Sequence, residues 1–375
     1  MKSKYKFSEL IEEISEQNTE LKYGLDDIVG VTIEKGLIPT IANLQQTALN
    51  KFYIVKPDTF VYNPRTHGVR LGMGFNKTNY TYITSWNNIA FKVKDDALSI
   101  LNPEYLWLYF NRSEWDRETN YHAWGSSTIV FSWNTFLNLE IQIPEKSYQD
   151  ILVRQYNAIK RRIVLKQQIN DNLEATAQAY FDKLFINDFE CTTNLDKIAN
   201  INPTRNLAKN QIARCFDMST LPLKGCIPIG GEYKPYNGGM RFINGDTILA
   251  RITPCLENGK AAYINILDEN EVAFGSTEYI VLSPKENVPS SFFYFLARNS
   301  TFISYAVAHM NGSSGRQRVS GSDIANYPIK EPSKDELQMF DKYASKVLYA
   351  MKVSALEIEK LKELQENITA TISSR

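Results

Sequence analysis

The sequence predicts an α+β protein in which two mixed α/β globular domains are separated by an antiparallel pair of long helices. Three observations lead to this prediction: two long stretches with helical periodicity, a second half that repeats the first, and short strand-like runs before each long stretch. We expect the first domain at residues 1–144, the first long helix at 145–187, the second domain at 188–332 and the second long helix at 333–375.

Two amphipathic stretches, Glu145 to Phe185 and Ser333 to Ile372, each close one half of the chain. In both, apolar residues recur at alternating steps of three and four, which places them along one face of a helix. Such a seam needs an apolar partner, and the duplicate helix is the obvious one, so we expect a coiled-coil rod. The first helix must lead to the second domain and the second must leave it, which favours antiparallel pairing. The seam positions are Leu152, Tyr156, Ile159, Ile163, Leu173, Ala177, Tyr180 and Leu184, then Phe340, Ala344, Val347, Met351, Ile358, Leu361, Ile368 and Ile372.

The two halves share one frame at an offset of 188 residues. Phe340 lies 188 positions after Leu152, and Asp246 lies 188 positions after Asp58. Because one shift relates both the helix seams and the strand runs, the sequence indicates an internal duplication with a pseudo-twofold relation. The connecting loops differ widely between the halves.

Short apolar runs punctuated by Gly, Pro and Asn predict the strands of the first domain. Asn102 followed by Pro103 predicts a helix start, and the segment from Trp124 to Pro144 is expected to be a loop followed by a last strand. The second domain repeats this plan, with its helix at Ser290 to Asn299. The predicted strands of the first domain are Ile28 to Ile33, Phe52 to Val55, Phe60 to Tyr62, Tyr80 to Ile83, Ile89 to Val93 and Leu139 to Ile143.

Composition bounds the class of protein. The chain has 375 residues, of which 43% are hydrophobic, as is typical of folded protein. Its 42 basic residues balance 42 acidic ones, so any nucleic-acid footprint has to be local or shared with another subunit. No apolar run could span a membrane, and Met1 to Phe7 lack the apolar run of a secretory signal. Four cysteines without a C-x-x-C pair predict a cytoplasmic protein with reduced thiols.

The sequence offers no catalytic constellation. There is no phosphate-binding G-x-x-x-x-G-K-[ST] loop and no G-x-S-x-G nucleophile turn, and the three histidines lack metal-ligand spacing. What remains are three loops rich in hydrogen-bonding side chains and glycine: Tyr62 to Arg70, Arg251 to Lys260, and His309 to Arg318. Arg, Asn, Gln, Ser and Thr are the side chains that hold phosphates and read base edges, although ordinary surface loops have the same composition.

The duplicated plan, together with several local strings, resembles the specificity subunit of type I restriction–modification systems. The strings that carry the resemblance are Gly245 to Lys260, Phe274 to Glu278, Gly312 to Arg318, Lys22 to Asp27 and Trp124 to Ser126. The resemblance implies two target-recognition domains, each reading one half of a bipartite, asymmetric site in double-stranded DNA. It also implies docking of two methyltransferase subunits, and of restriction subunits in the nuclease form.

The same resemblance implies a non-catalytic subunit that binds no cofactor itself. S-adenosylmethionine is expected to bind the methyltransferases, and ATP and Mg²⁺ the restriction subunits. Recognition domains vary most within such a family, so contact residues are selected by residue type within the polar loops. The candidates for DNA contact are Arg65, His67, Arg70 and Lys77 in the first domain, and Arg251, Lys260, Asn311, Ser313, Arg316, Gln317 and Arg318 in the second.

Several alternatives stay open at the level of the sequence. The chain could be a structural or interaction scaffold that never binds DNA, or an enzyme with a site that no motif reveals. Arg251 could form an internal pair with Glu257 instead of contacting DNA. Lys166, Asn170 and Ser354 interrupt the seam, and they either set helix register, meet a partner or are simply exposed.

Overall fold

The computed structural model describes residues 3–40, 47–66, 70–124, 129–187, 192–313 and 315–373. The chain divides into two compact units: Met1–Arg161 with Lys362–Arg375, and Arg162–Leu361. We call them the first and second unit. Both division points fall within long helices, so each unit contains a segment of each helix.

The first unit is mixed α and β. Its strands are β1 (Ser3–Lys6), β2 (Ile11–Ile14), β3 (Val29–Val31), β4 (Leu37–Pro39), β5 (Tyr53–Val55), β6 (Phe60–Tyr62), β7 (Arg65–Thr66), β8 (Met73–Phe75), β9 (Tyr82–Thr84), β10 (Ile89–Val93), β11 (Ile129–Val130) and β12 (Glu140–Ile143). Its helices are α1 (Phe7–Leu10), α2 (Pro103–Phe110), α3 (Ser113–His122) and α4 (Trp133–Asn138), after which the chain enters α5 (Lys146–Phe185).

An antiparallel sheet of order β2-β10-β6-β8 carries the main core of the first unit. Phe60 and Phe91 on adjacent strands stack with ring centroids 5.0 Å apart, and Phe110 of α2 packs edge-on against Phe60. All three rings are fully buried. Burying each large aromatic side chain contributes about 2–3 kcal/mol, so this stack fixes α2 on the sheet.

The second unit repeats the class of fold. Its strands are β13 (Thr193–Asn194), β14 (Ala199–Ile201), β15 (Ile212–Phe216), β16 (Glu232–Pro235), β17 (Arg241–Phe242), β18 (Thr247–Ala250), β19 (Ala261–Tyr263), β20 (Ala273–Gly275), β21 (Tyr279–Pro284) and β22 (Pro328–Ile329). Its helices are α6 (Ser290–Arg298), α7 (Ser300–Ala308) and α8 (Gly321–Ala325), followed by α9 (Lys334–Ser373).

The two units have the same strand order. The sheet β14-β21-β18-β19 corresponds strand by strand to β2-β10-β6-β8, and the pair β13-β22 corresponds to β1-β12. The second sheet, β16-β15-β20-β17, includes a parallel pair between β15 and β20. In the first unit, β3-β4 and β5-β9 occupy the corresponding places and are linked by a parallel bridge between Ile28 and Ile83. The duplication therefore extends into strands where the sequence does not reveal it.

Both long helices begin one residue after their predicted starts. At α9, the N–H of Glu336 donates to Ser333 Oγ (3.2 Å) and the N–H of Ser333 donates to Glu336 Oε2 (2.9 Å), which is the predicted capping box. At α5, the fully buried Gln149 side chain donates to the carbonyls of Ile100 (2.7 Å) and Pro144 (2.8 Å). The duplicate helices thus begin with different chemistry.

Within the second unit, the segments of α5 and α9 pack antiparallel. Lys166 forms an ion pair with Glu357 at 2.6 Å, and the rings of Phe181 and Phe340 lie 5.4 Å apart. Phe181 is fully buried, although the predicted seam contained its neighbour Tyr180, which is only partly buried. The seam of the first unit includes the buried Leu152 and Ile372.

Asn170 and Ser354 lie within the seam and are buried, so simple exposure does not explain them. Asn170 Oδ1 and Ser354 Oγ have no hydrogen-bond partner among the described residues. A buried polar side chain in a helix seam costs stability and can set register.

The prediction of a plain loop before the last strand of the first domain was wrong. The segment contains α4, which begins where Ser132 Oγ accepts the N–H of Thr135 (3.1 Å) and which buries Phe136. Six residues are too few for a periodicity to reveal a helix. Among the described residues, no helix is both long and apolar enough to cross a membrane.

Candidate nucleic-acid interface

Two of the predicted polar loops of the second unit lie together. A bridge joins Ile252 to Arg318, and a second joins Asn311 to Arg318 through reciprocal N–H···O bonds of 2.9 Å. The N–H of Val319 donates to the carbonyl of Arg251 (3.0 Å). We call Ile252, Arg318 and Asn311 the second ladder. It connects the loop between β18 and β19 with the loop that follows α7.

Glycine shapes the turn beyond this ladder. Gly312 has φ +125, and a Cβ atom there would lie 3.1 Å from the carbonyl oxygen of Arg316. The N–H of Arg316 donates to the carbonyl of Ser313 (3.0 Å), which closes the turn. A side chain at Gly312 would therefore oppose both the backbone conformation and the close approach.

The guanidinium of Arg318 makes a bidentate pair with Glu278. Nε lies 2.9 Å from each carboxylate oxygen of Glu278, and a terminal nitrogen lies 2.7 Å from Oε1. The other terminal nitrogen donates to the carbonyl of Arg316 (3.0 Å). Hydrogen bonds from Arg318, with a further contribution from the positive charge of Arg251, hold the pKa of Glu278 below its usual value.

The other candidates of the second unit differ in accessibility. Asn311, Ser313 and Arg316 are exposed, whereas Gln317 is half-buried and its carbonyl accepts the N–H of Thr253 (3.1 Å). Arg251 is half-buried near Glu278 rather than paired with Glu257, and its Nε has no hydrogen-bond partner among the described residues.

Lys260 is directed elsewhere. Its Nζ donates to the carbonyl of Met218 at 3.0 Å, and the residue is half-buried. The side chain of Lys260 is therefore not part of the second ladder, although Lys260 ends the loop that contributes Ile252 to it.

The first unit has a corresponding ladder formed by Arg65, Val130 and Trp124. Val130 pairs with Arg65 across β7 and β11 and is bridged to Trp124 on its other side. The N–H of Arg65 donates to Asn63 Oδ1 (2.9 Å), which stabilises the turn into β7. Arg65 and Trp124 are both exposed. We call these three residues the first ladder.

The remaining candidates of the first unit do not belong to the first ladder. His67 falls outside the described residues. Arg70 Nε lies 3.6 Å from Asp116, which also forms an ion pair with the buried Lys35 at 2.7 Å. Lys77 forms an ion pair with Glu104 at 2.9 Å.

Two residues of this region were not predicted as site residues. Glu278 belongs to the string Phe274 to Glu278, but only the structure reveals that it holds Arg318. In the sequence, a run of small residues follows Trp124, and a large aromatic side chain beside such a run was a signal; the structure shows Trp124 exposed at a ladder position. Arginine and asparagine present hydrogen-bond donors and tryptophan presents an aromatic face, whereas no group of His, Cys, Asp and Glu suited to a metal ion is found in the described part of the chain.

The fold and the paired ladders define an internally duplicated α+β protein, and a family model identifies part of it. Residues 229–367 match the type I restriction modification DNA specificity domain. This segment includes the whole second ladder and most of α9. The predicted resemblance to type I specificity subunits is therefore confirmed.

Two curated relatives come from Escherichia coli. The chain is 31% identical over 150 residues to the type I restriction enzyme EcoAI specificity subunit, and 30% identical over 148 residues to the EcoEI specificity subunit. Each match covers 38% of this chain but only 25% and 24% of the respective relative, so the chain matches about a quarter of their length.

A solved structure resembles the chain over nearly its whole length. The S subunit of the type I restriction–modification system from M. genitalium matches 99% of this chain and 96% of its own, with a TM-score of 0.62 and 12% identity. At this identity the likeness supports the α+β fold and does not extend to individual contacts.

Proposed function

We propose that this chain is the DNA-recognition subunit of a type I restriction–modification complex, and that each unit reads one half of a bipartite, asymmetric site in double-stranded DNA. The observation that carries the proposal is the pair of ladders. They occupy corresponding places in two units of the same fold, yet they present different side chains. Two units that share a fold but present different side chains to DNA would recognise different sequences, which explains a site whose halves differ.

The charge balance bears on how the complex binds DNA. With 42 basic and 42 acidic residues, the chain generates little long-range attraction for a polyanion. We expect two methyltransferase subunits to supply the missing positive field, with restriction subunits added in the nuclease form. Exposed apolar side chains on the helix segments of the second unit offer surface for such partners: Val164, Leu165, Ile169, Tyr349, Val353 and Leu356.

Within this proposal, the chain is non-catalytic and binds no cofactor. The boundaries of the two target-recognition domains, 1–144 and 188–332, stay predictions. Helices α5 and α9 set the separation of the half-sites as a coiled-coil rod. The exposed or partly exposed groups that we assign to DNA contact belong to the two ladders and to the turn beyond the second one, whereas Arg70, Lys77 and Lys260 lie outside the ladders: they are Arg65, Trp124, Asn311, Ser313, Arg316 and Arg318.

Site selection tests the function. The chain, co-expressed with a methyltransferase subunit, is incubated with random double-stranded DNA, and the bound sequences are determined. Enrichment of two unlike half-sites at a constant spacing is expected. Assembly with a partner but no enriched sequence would contradict the proposal and favour the interaction scaffold.

The role of the helices is tested by lengthening both of them. Four residues inserted after Lys166 and four after Glu357, which face each other in the second unit, add roughly 6 Å of helix. Base pairs are spaced by about 3.4 Å, so the selected spacing should grow by about two base pairs with both half-sites unchanged. An unchanged spacing would contradict the proposal that α5 and α9 set the separation of the half-sites.

A further inference from the structure

Two hydrogen bonds fix the backbone of Glu278. The residue immediately precedes β21, and its carbonyl accepts the N–H of Arg251 (3.0 Å) while its N–H donates to Ser276 Oγ (3.0 Å). These two bonds fix the start of the strand next to the second ladder. Its carboxylate therefore meets Arg318 from a defined direction.

The pair leaves Arg318 able to bind something else. A guanidinium has five N–H donors, and the contacts to Glu278 and to the carbonyl of Arg316 use three of them. The side chain is 39% exposed. One N–H group thus remains on each of the two terminal nitrogens, and donors on both terminal nitrogens can serve bidentate recognition of guanine O6 and N7.

Stability alone does not account for this geometry. Ion pairs between partly exposed side chains contribute only about 0–1 kcal/mol, because water screens the charges and the side chains lose entropy. Orientation is a larger consequence. A paired Arg318 has part of its charge neutralised, which weakens non-directional attraction to phosphates, but it retains directional hydrogen bonds.

We propose that Glu278 is a positioning residue that orients Arg318 toward a base edge, with guanine as the preferred base, in the second half-site. The inference rests on the proposed function and adds a specificity determinant to it. Glu278 itself does not touch DNA. Glu278 restricts the guanidinium of Arg318 to one orientation, and it lowers the affinity of that guanidinium for DNA of any sequence.

The inference is tested by Glu278→Gln in the complex with a methyltransferase subunit. Binding is measured over a series of salt concentrations to the selected site, to the same site with a scrambled second half, and to the site with a scrambled first half. Discrimination at the second half is expected to fall about tenfold, which corresponds to one lost bidentate contact. Discrimination at the first half should be unchanged, and binding to unrelated DNA should strengthen with a steeper salt dependence.

Two further variants separate positioning from charge and from folding. Glu257→Gln removes an exposed acidic charge from the loop that contains Arg251, without touching Arg318, and should change discrimination less than twofold. Arg318→Lys keeps the positive charge but loses the fork, and should lose discrimination at the same base pairs as Glu278→Gln. Thermal melting of each complex checks folding.

Three results would overturn the inference: full discrimination in Glu278→Gln, full discrimination in Arg318→Lys, or an equal loss from Glu257→Gln. A failure of the proposed function is distinct, because the unaltered complex would then select no sequence at all.

Discussion

The first and second ladders have the same backbone arrangement but carry their arginines on opposite strands. Arg65 lies on β7 and pairs with Val130, whereas Arg318 occupies the place of Val130 and is bridged to Ile252. Arg318 is clamped by Glu278, and within the described part of the chain Arg65 has no acidic partner. A duplicated frame thus preserves the position of a ladder without preserving which strand carries the charged group.

Contact residues therefore cannot be transferred between the two units by a fixed offset in the sequence. Backbone hydrogen bonds maintain the ladder whatever the side chains are, so either strand can change. The two units can therefore diverge in surface chemistry while their cores remain alike.

The largest expected effect concerns the buried ion pair between Asp246 and Arg205 of the second unit. Asp246 is almost fully buried and accepts two hydrogen bonds of 2.8 Å from Arg205, whereas its counterpart Asp58 is exposed. Asp246→Asn leaves Arg205 without its counter-charge and should lower the free energy of unfolding of the second unit by about 3 kcal/mol.

Chemical denaturation of the two variants measures this contrast. Asp58→Asn is the matched control, because asparagine tolerates the φ of +62 at this position, and it should shift the midpoint little. Equal shifts from both substitutions would show that the counterparts are equivalent after all.

The next effect concerns the start of α5. Gln149→Leu introduces the residue type found at the corresponding Leu337 of α9. Because the buried Gln149 side chain donates to the carbonyls of Ile100 and Pro144, the variant should lose about 2 kcal/mol of stability. The exposed Ser147→Ala on the same turn should be nearly neutral, and a neutral Gln149→Leu would argue that water replaces the side chain.

A smaller effect concerns the start of α9, where the contribution of Glu336 to stability should depend on pH. Hydrogen bonds from Lys330 and from the backbone of Ser333 lower the pKa of Glu336 to about 2. A depressed carboxyl pKa stabilises the folded state above the unfolded value of about 4.3, and that stabilisation is lost as pH falls toward 2. Glu336→Gln should therefore cost about 1 kcal/mol at neutral pH and progressively less below pH 4. A difference independent of pH in denaturation curves would contradict this account.

Much of the fold followed from the sequence, because periodicity and a shared offset are properties of the chain itself. The long helices, the strands around Phe60 and Ile89, and the helix after Asn102 were all predicted. Helices α3 and α4 were missed, since short segments stabilised by tertiary burial of Trp115 and Phe136 carry too weak a periodicity.

The candidate site was less predictable. Residue type selected two loops of the second unit that the structure brings together, those of Arg251 and Arg318, although their contact with DNA stays a prediction. It could not reveal that Lys77 and Lys260 are held by Glu104 and the carbonyl of Met218, because those partners are distant in sequence. For the same reason, Glu278 was not predicted as a partner of Arg318.

Half-site selection by the assembled complex, with Arg65→Ala and Arg318→Ala compared side by side, tests whether each unit reads its own half of the site. Each substitution should cost about 1–3 kcal/mol of discrimination, and each should do so in a different half of the site. Loss in the same half from both variants, or loss in both halves from either one without a change in melting temperature, would contradict the account.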